Sequence, residues 1–244
     1  MLWELREFAE LLMHQFADKN YNQSMSVEYV LFDLDDTLVR TDSYIPAFVK
    51  ALMPYGFEPN FLAQHWLKHT GLSLAQQLAG LLECSLEDKR VDAASERFWD
   101  AAQEASFVVL PGADWALRML HERDYQLFLS TGSNPERVEK VLRETGWQEL
   151  FALPQGTTLD NPKGAAHYQK ICQHLGLSLE RFAYQAVSVG DGVYDVQYAK
   201  QHGLYAVAYT PDGTPDEQRT KLWDLGADQF LSDLRGLPDV VGNL

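Results

Sequence analysis

Basic residues are in short supply, with 20 Lys plus Arg against 35 Asp plus Glu and a net charge of −15. Affinity for nucleic acid comes largely from clustered Lys and Arg that neutralise phosphates, so this balance repels a phosphate backbone or an anionic membrane surface. Neither nucleic acid nor membrane is expected as a partner. Cysteine is nearly absent. Cys84 and Cys172 lie far apart with no CxxC spacing, which excludes a disulfide framework or a thiolate zinc site and leaves two reduced fillers. Long apolar runs are missing as well. The longest stretch without Asp, Glu, Lys or Arg, His69 to Leu82, holds 14 residues, short of the roughly 18 apolar residues of a membrane span. The N-terminal MLWELREFAELLMHQF is broken by Glu4, Arg6, Glu7 and Glu10 and so lacks the core and cleavage site of a secretory signal. A soluble, cytoplasmic protein is expected.

What is present is a folding composition, 46% apolar with six Trp in 244 residues, enough for one large domain or a core with an insertion. Leu5, Phe8, Leu12 and Phe16 recur at helical spacing, so residues 1–24 read as an N-terminal helical extension. The period then changes. VEYVLF (27–32), YQLFLS (125–130), AVSVG (186–190), LYAVAY (204–209) and QFL (229–231) read as strands of near-continuous hydrophobicity. Helical stretches over 112–122, 135–145, 164–175 and 193–202 alternate with them. This alternation specifies an α/β fold, a doubly wound and mostly parallel Rossmann-like sheet covered on both faces. Residues 25–42 and 107–244 form that core. Residues 43–106 break the rhythm as an all-helical insertion, with Leu72, Ala75, Leu78 and Leu82 on one stripe and Ala94, Phe98 and Ala102 on another.

Chemistry gathers at strand ends. The first strand runs into Asp33, Leu34, Asp35, Asp36 and Thr37, and the carboxyl ends of parallel strands are where such sheets bind ligands. Asp33 and Asp35 are one residue apart, which turns both side chains to the same side of an extended backbone. GDGVYD brings Asp191 and Asp195 to the same edge. Converging carboxylates repel and need positive charge. With no His or Cys cluster, an oxygen-only site favours a hard cation, and Mg²⁺ suits one that also holds phosphate. Lys163 offers a second cation. Ser130, Thr131 and Gly132 offer hydroxyls and N–H groups at a helix start, which suits an anion. The set reads as a phosphoryl-transfer site.

In this order the motifs resemble the haloacid dehalogenase superfamily, in its phosphatase branch and among its phosphoglycolate-phosphatase-like members. VLFDLDDTLV is similar to the first motif, LFLSTG to the second, Lys163 to the third and GDGVYD to the fourth, over about residues 27–235. The resemblance implies that Asp33 is the nucleophile that forms an aspartyl-phosphate and that Asp35 is the acid and then the base. It implies that Thr131, or alternatively Ser130, binds phosphoryl oxygens beside Gly132, and that Lys163 neutralises Asp33 and the transferring group. Asp33, Asp191 and the Asp35 carbonyl would ligate Mg²⁺, with Asp195 at the metal's edge or orienting Lys163. An acid at position 35 favours phosphate esters over halides, whose departure needs no proton. Residues 43–106 resemble a helical C1-type cap. The substrate implied is a small phosphorylated metabolite, for a monomer or homodimer.

The same motifs also occur in phosphomutases of the β-phosphoglucomutase type, which is the competing reading, with a catalytically silent binding protein behind it. Lys68, His69 and Thr70 before Gly71 read as a specificity loop or an ordinary surface loop, and Arg40, Asp42 and Lys50 are similar candidates. The linkers near 41–44 and 106–111 read as hinges. His167 and His174 read as one ordinary helix face. Asp36, where many members of the superfamily have Gly, reads as a solvated acid that helps a turn.

Overall fold

The computed structural model describes residues 26–40, 44–69, 72–102 and 106–244. The expected N-terminal helix over 1–24 lies outside them. Six strands form one sheet: β1 (Tyr29–Phe32), β4 (Gln126–Ser130), β5 (Phe151–Gln155), β6 (Ala186–Gly190), β7 (Tyr205–Tyr209) and β8 (Gln229–Leu231). Their spatial order is β5-β4-β1-β6-β7-β8 and every pair is parallel. Two short antiparallel strands, β2 (Val39–Arg40) and β3 (Val108–Val109), stand apart.

Period-2 alternation sorts the central strands between two faces. Val30 and Phe32 of β1 join Leu127 and Leu129 of β4 in one apolar layer, while Tyr29 and Leu31 join Phe128 in the other. The first layer is covered by α5 (Ala113–Glu122), α6 (Pro135–Thr145) and α11 (Leu237–Gly242). The second is covered by α7 (Ala165–Leu175), α8 (Leu179–Tyr184), α9 (Val193–Gln201) and α10 (Asp216–Asp224). Within α5, Leu117 and Leu120 are buried but Trp115 is exposed. Burial on both faces is what permits the near-continuous hydrophobic runs.

The doubly wound parallel core read from the alternation is the observed architecture. Of the sheet's strands the reading omitted β5, and of the covering helices α8, α10 and α11. FALPQ carries Pro154, which lacks a donor for a ladder, yet it forms β5 at the sheet's edge, the position where proline is tolerated.

Among the described residues four helices interrupt the core: α1 (Ile45–Leu52), α2 (Pro59–Lys68), α3 (Leu74–Leu81) and α4 (Lys89–Ala102). They bury Phe48, Leu52, Leu62, Leu78, Ala94 and Phe98 against one another in a separate apolar cluster. The β2-β3 ladder, Val39 opposite Val109 and Arg40 opposite Val108, draws the entry and exit of this insertion together.

Chain order fixes the crevice. After β1 the chain builds β4 and β5 on one side and then crosses to β6 on the other. The carboxyl end of β1 is therefore the switch point, where an open α/β sheet leaves room for a ligand.

Candidate active site

Asp33 follows β1 directly and is buried. Its Oδ1 accepts a hydrogen bond from Lys163 Nζ at 2.7 Å, and the same ammonium meets Asp195 Oδ1 at 2.6 Å. Thr37 closes the other side. Its hydroxyl lies 3.3 Å from Asp33 Oδ2 and 3.2 Å from Asp191 Oδ1, and it accepts the Asp191 N–H at 3.0 Å.

Local chemistry holds these groups in place. Asp195 sits in the first turn of α9 and accepts the Gly192 N–H at 2.9 Å, near the positive end of the helix. A Cβ on Gly190 would lie 2.3 Å from Asp195 Cγ, so only glycine leaves space for this carboxylate. Thr157 ties the second and third motifs together: its hydroxyl donates to the Thr131 carbonyl at 2.9 Å and accepts the Lys163 N–H at 3.2 Å.

The electrostatics follow from burial and like charge. Burial, with Asp195 and Asp35 nearby, pushes Asp33 up to about 8 against the pull of Lys163. Burial also drives Asp191 well above the ordinary carboxylate range, helped by Asp33 and Asp195. For Lys163, burial alone favours the neutral amine, but Asp195 and Asp33 outweigh it and keep the cation. One ammonium therefore serves three buried acids. Asp33, Asp191 and Asp195 each offer an oxygen, and these lie within 4.8 Å of one another. An oxygen-only donor set with surplus negative charge fits a hard divalent cation.

Asp35 faces elsewhere. Two nitrogens of Arg137 converge on its Oδ1, Nη2 at 2.7 Å and Nε at 3.2 Å, while Ser133 Oγ and Thr131 Oγ1 donate to its Oδ2. Arg137 is itself buried under Tyr44, whose hydroxyl bonds its Nη1 and whose ring lies 4.3 Å from its guanidinium carbon. Burial opposes the charge on Arg137, but Asp35 and Tyr44 outweigh it and keep the guanidinium protonated. Arg137 gave no signal in the sequence, because an Arg in the first turn of a helix is normally solvated. Here Asn134 caps the helix by accepting the Arg137 N–H at 2.9 Å, with Pro135 at its first turn, and this capped turn aims the side chain inward.

The second-motif hydroxyls separate. Thr131, Gly132 and Ser133 line a cavity shared with Asp33, Asp35 and Lys163. Ser130, the alternative, is turned away: its hydroxyl donates to Nδ1 of His167 at 2.8 Å inside the core. Its place on β4 points it to the opposite face of the sheet from the flanking Leu129. His167 donates from Nε2 to the Asn161 carbonyl at 3.1 Å, and burial pushes it down to about 4. His174 is exposed on the same helix.

The insertion closes the other wall with Tyr44, Trp66, Leu72, Gln77, Phe98 and Trp99. Leu72 and Ser73 approach the second motif so tightly that a Cβ on Gly132 would lie 3.3 Å from Ser73 Cα. Of the loop candidates, Lys68 ends α2 exposed and His69 stacks on His65 at 4.0 Å, and neither lines the cavity. Thr70 and Gly71 lie outside the described residues, as does Asp42. Arg40 and Lys50 are exposed and do not line it either. Asp36 does line it, in the left-handed backbone region with φ 60°, a conformation that Asp tolerates better than most residues.

The sequence profile of haloacid dehalogenase-like hydrolases matches residues 30–209, a span holding all four motifs. The chain belongs to the haloacid dehalogenase-like hydrolase family. A protein of unassigned function from Lacticaseibacillus casei is 33% identical over 126 residues, a match that takes in 50% of this hydrolase and 58% of that protein. A phosphoglycolate phosphatase from Psychrobacter arcticus is 26% identical over 190 residues, covering 70% of this chain and 78% of that one. A haloacid dehalogenase-like family hydrolase from Streptococcus pneumoniae shares the fold with a TM-score of 0.73 at 19% identity, over 89% of this chain and 99% of that one. This is a hydrolase with phosphatases among its named relatives. Among its described residues no helix is long and apolar enough to cross a membrane.

Proposed function

We propose that this hydrolase is a Mg²⁺-dependent phosphatase of a small phosphomonoester, working through an aspartyl-phosphate on Asp33. The observation that carries the reading is the grip of Lys163 on Asp33 and Asp195, beside Asp191, at the floor of the cavity between the sheet and the insertion. Asp33, Asp191 and the Asp35 carbonyl would hold the metal, with Asp195 at its edge or orienting Lys163. Bound there, the cation supplies charge that neutralises phosphoryl oxygens and offsets the repulsion among the acids.

In the first step an Asp33 oxygen attacks phosphorus, the bond to the leaving oxygen breaks, and Asp35 gives that oxygen a proton. Lys163 and the Thr131 hydroxyl stabilise the transferring oxygens. In the second step Asp35, now a carboxylate held by Arg137, Ser133 and Thr131, takes a proton from water. The water oxygen attacks phosphorus, inorganic phosphate leaves and Asp33 is restored. Helices α1 to α4 act as the cap, entered and left near 41–44 and 106–111, and exclude bulk water while the cavity is closed.

Free-phosphate release from a panel of small phosphomonoesters, with Mg²⁺ or EDTA and with Asp33→Asn as the blank, tests the reading. Mg²⁺-dependent release that the variant lacks is expected. A phosphorylated isomer formed without free phosphate overturns it in favour of a mutase.

A further inference from the structure

We propose that the alcohol part of the substrate is a small, uncharged aromatic ring carrying a hydrogen-bond donor. The inference rests on the phosphatase reading and adds the identity of the leaving group.

The cavity has two unlike walls. On the sheet side stand the carboxylates, Lys163 and the Thr131 and Ser133 hydroxyls, where the phosphoryl group would bind. On the insertion side the partly buried Trp66 and Trp99, backed by the buried Tyr44 and Phe98, present aromatic surface where the alcohol part would lie. These rings already pack on one another, Trp66 stacked on Phe98 at 5.6 Å and Tyr44 edge-on to Trp99 at 6.5 Å. Trp99 and Trp66 are only partly buried, which leaves ring surface toward the cavity. A further ring extends such a cluster at the same spacings.

Charge argues the same way. Among the described residues lining the cavity, the cations are Lys163 and Arg137. Lys163 is committed to Asp33 and Asp195, and Arg137 to Asp35 and Tyr44. Neither is available for a carboxylate or a second phosphate on the leaving group. Asp33, Asp35 and Asp36 line the same space and would repel one. Against the Trp66 and Trp99 wall an anion would lose its water and gain no partner.

Gln77 supplies the donor requirement. It is 4% exposed, lines the cavity, and its Oε1 has no hydrogen-bond partner. Its Nε2 donates to the Leu72 carbonyl at 3.4 Å. That carbonyl can only accept, so the amide nitrogen stays on its side and the oxygen is the buried atom left without a partner. A buried acceptor left open is complementary to an N–H or O–H on the ligand.

The test uses the full chain with Mg²⁺ and kcat/KM for benzyl phosphate, 3-hydroxybenzyl phosphate, glycerol 3-phosphate, 2-phosphoglycolate and pyrophosphate. Acetyl phosphate serves as a donor that needs no contact with the aromatic wall. Benzyl and glycerol phosphates both lose a primary alkoxide, so binding and not intrinsic reactivity separates them. Benzyl phosphate is expected to exceed 2-phosphoglycolate, pyrophosphate and glycerol 3-phosphate by about tenfold or more, with 3-hydroxybenzyl phosphate above it. Trp99→Ala should shrink the benzyl advantage, and Gln77→Leu should make the two benzyl substrates equal. Turnover of 2-phosphoglycolate or pyrophosphate at or above that of benzyl phosphate overturns the inference and leaves the phosphatase reading standing. Release from acetyl phosphate alone has the same meaning. Equal turnover of the two benzyl phosphates by the unaltered enzyme overturns the donor requirement. No release from any of the six overturns the phosphatase reading and this inference with it.

Discussion

Arg137 brings two nitrogens to a single oxygen of Asp35, Nη2 at 2.7 Å and Nε at 3.2 Å, so the acid at position 35 is aimed by a residue 102 positions away. Removing the guanidinium in Arg137→Met should slow the proton-dependent steps about 100-fold. A p-nitrophenyl leaving group needs no proton, so rapid mixing should show a normal burst of nitrophenol followed by slow turnover. Equal loss in burst and steady state would mean that Arg137 acts through binding.

Lys163 is the ammonium that Asp33 and Asp195 share. Lys163→Met should cost about 3 kcal/mol of folding stability by leaving buried carboxylates without their partner. It should also cost at least a few kcal/mol in kcat/KM. Urea melts and kinetics on the folded fraction separate the two effects, and wild-type kinetics would mean that another cation serves.

Burial and mutual repulsion push Asp33 up to about 8 and Asp191 well above the ordinary carboxylate range, so without metal these acids cost folding stability at neutral pH. MgCl₂ at about 100 times its Kd should raise Tm by roughly 5 °C or more. Asp191→Asn should raise the Tm of the metal-free protein and abolish the Mg²⁺ shift. A variant that melts below wild type without metal would contradict the repulsion.

His167 lies below its ordinary value, at about 4 against 6.5, because burial disfavours its charged form. Between those values the unfolded chain binds a proton that the fold does not. Stability from this group is therefore complete above pH 6.5 and is lost as pH falls toward 4. His65, pushed to about 4 by burial and the charges of His69 and Lys68, adds a slope of the same sign. Asp33 and Asp191, raised by burial, tilt stability the opposite way, so the comparison is with the variant: from pH 7 to pH 4.5 the urea midpoint of the unaltered protein should fall relative to that of His167→Gln. An unchanged slope in that variant would contradict the assignment.

The parallel core was legible because hydrophobic runs such as YVLF alternate with capped helices, and the first, second and fourth motifs fall at strand ends while Lys163 precedes a helix. Edge strand β5 was not, since Pro154 reads as a breaker until the strand is known to lie at the edge. Within the site, the four acids and Lys163 carry their chemistry in their types and spacing. Arg137, Tyr44 and Gln77 do not, because their roles come from burial and from contacts between segments far apart in sequence. The Lys68–His69 stretch drew notice by its polarity, whereas the neighbouring Leu72 and Ser73 make the approach to the sheet.

The central claim is that Asp33 attacks phosphorus, and trapping the intermediate tests it most directly. The enzyme would be quenched during turnover of acetyl phosphate, reduced with borohydride, and the peptide spanning residue 33 analysed by tandem mass spectrometry. An acyl phosphate on Asp33 is reduced to homoserine, so conversion at position 33 alone, lost in Asp33→Asn, is the predicted result. Conversion at Asp35 or another carboxylate, or turnover that persists in Asp33→Asn, would contradict the account.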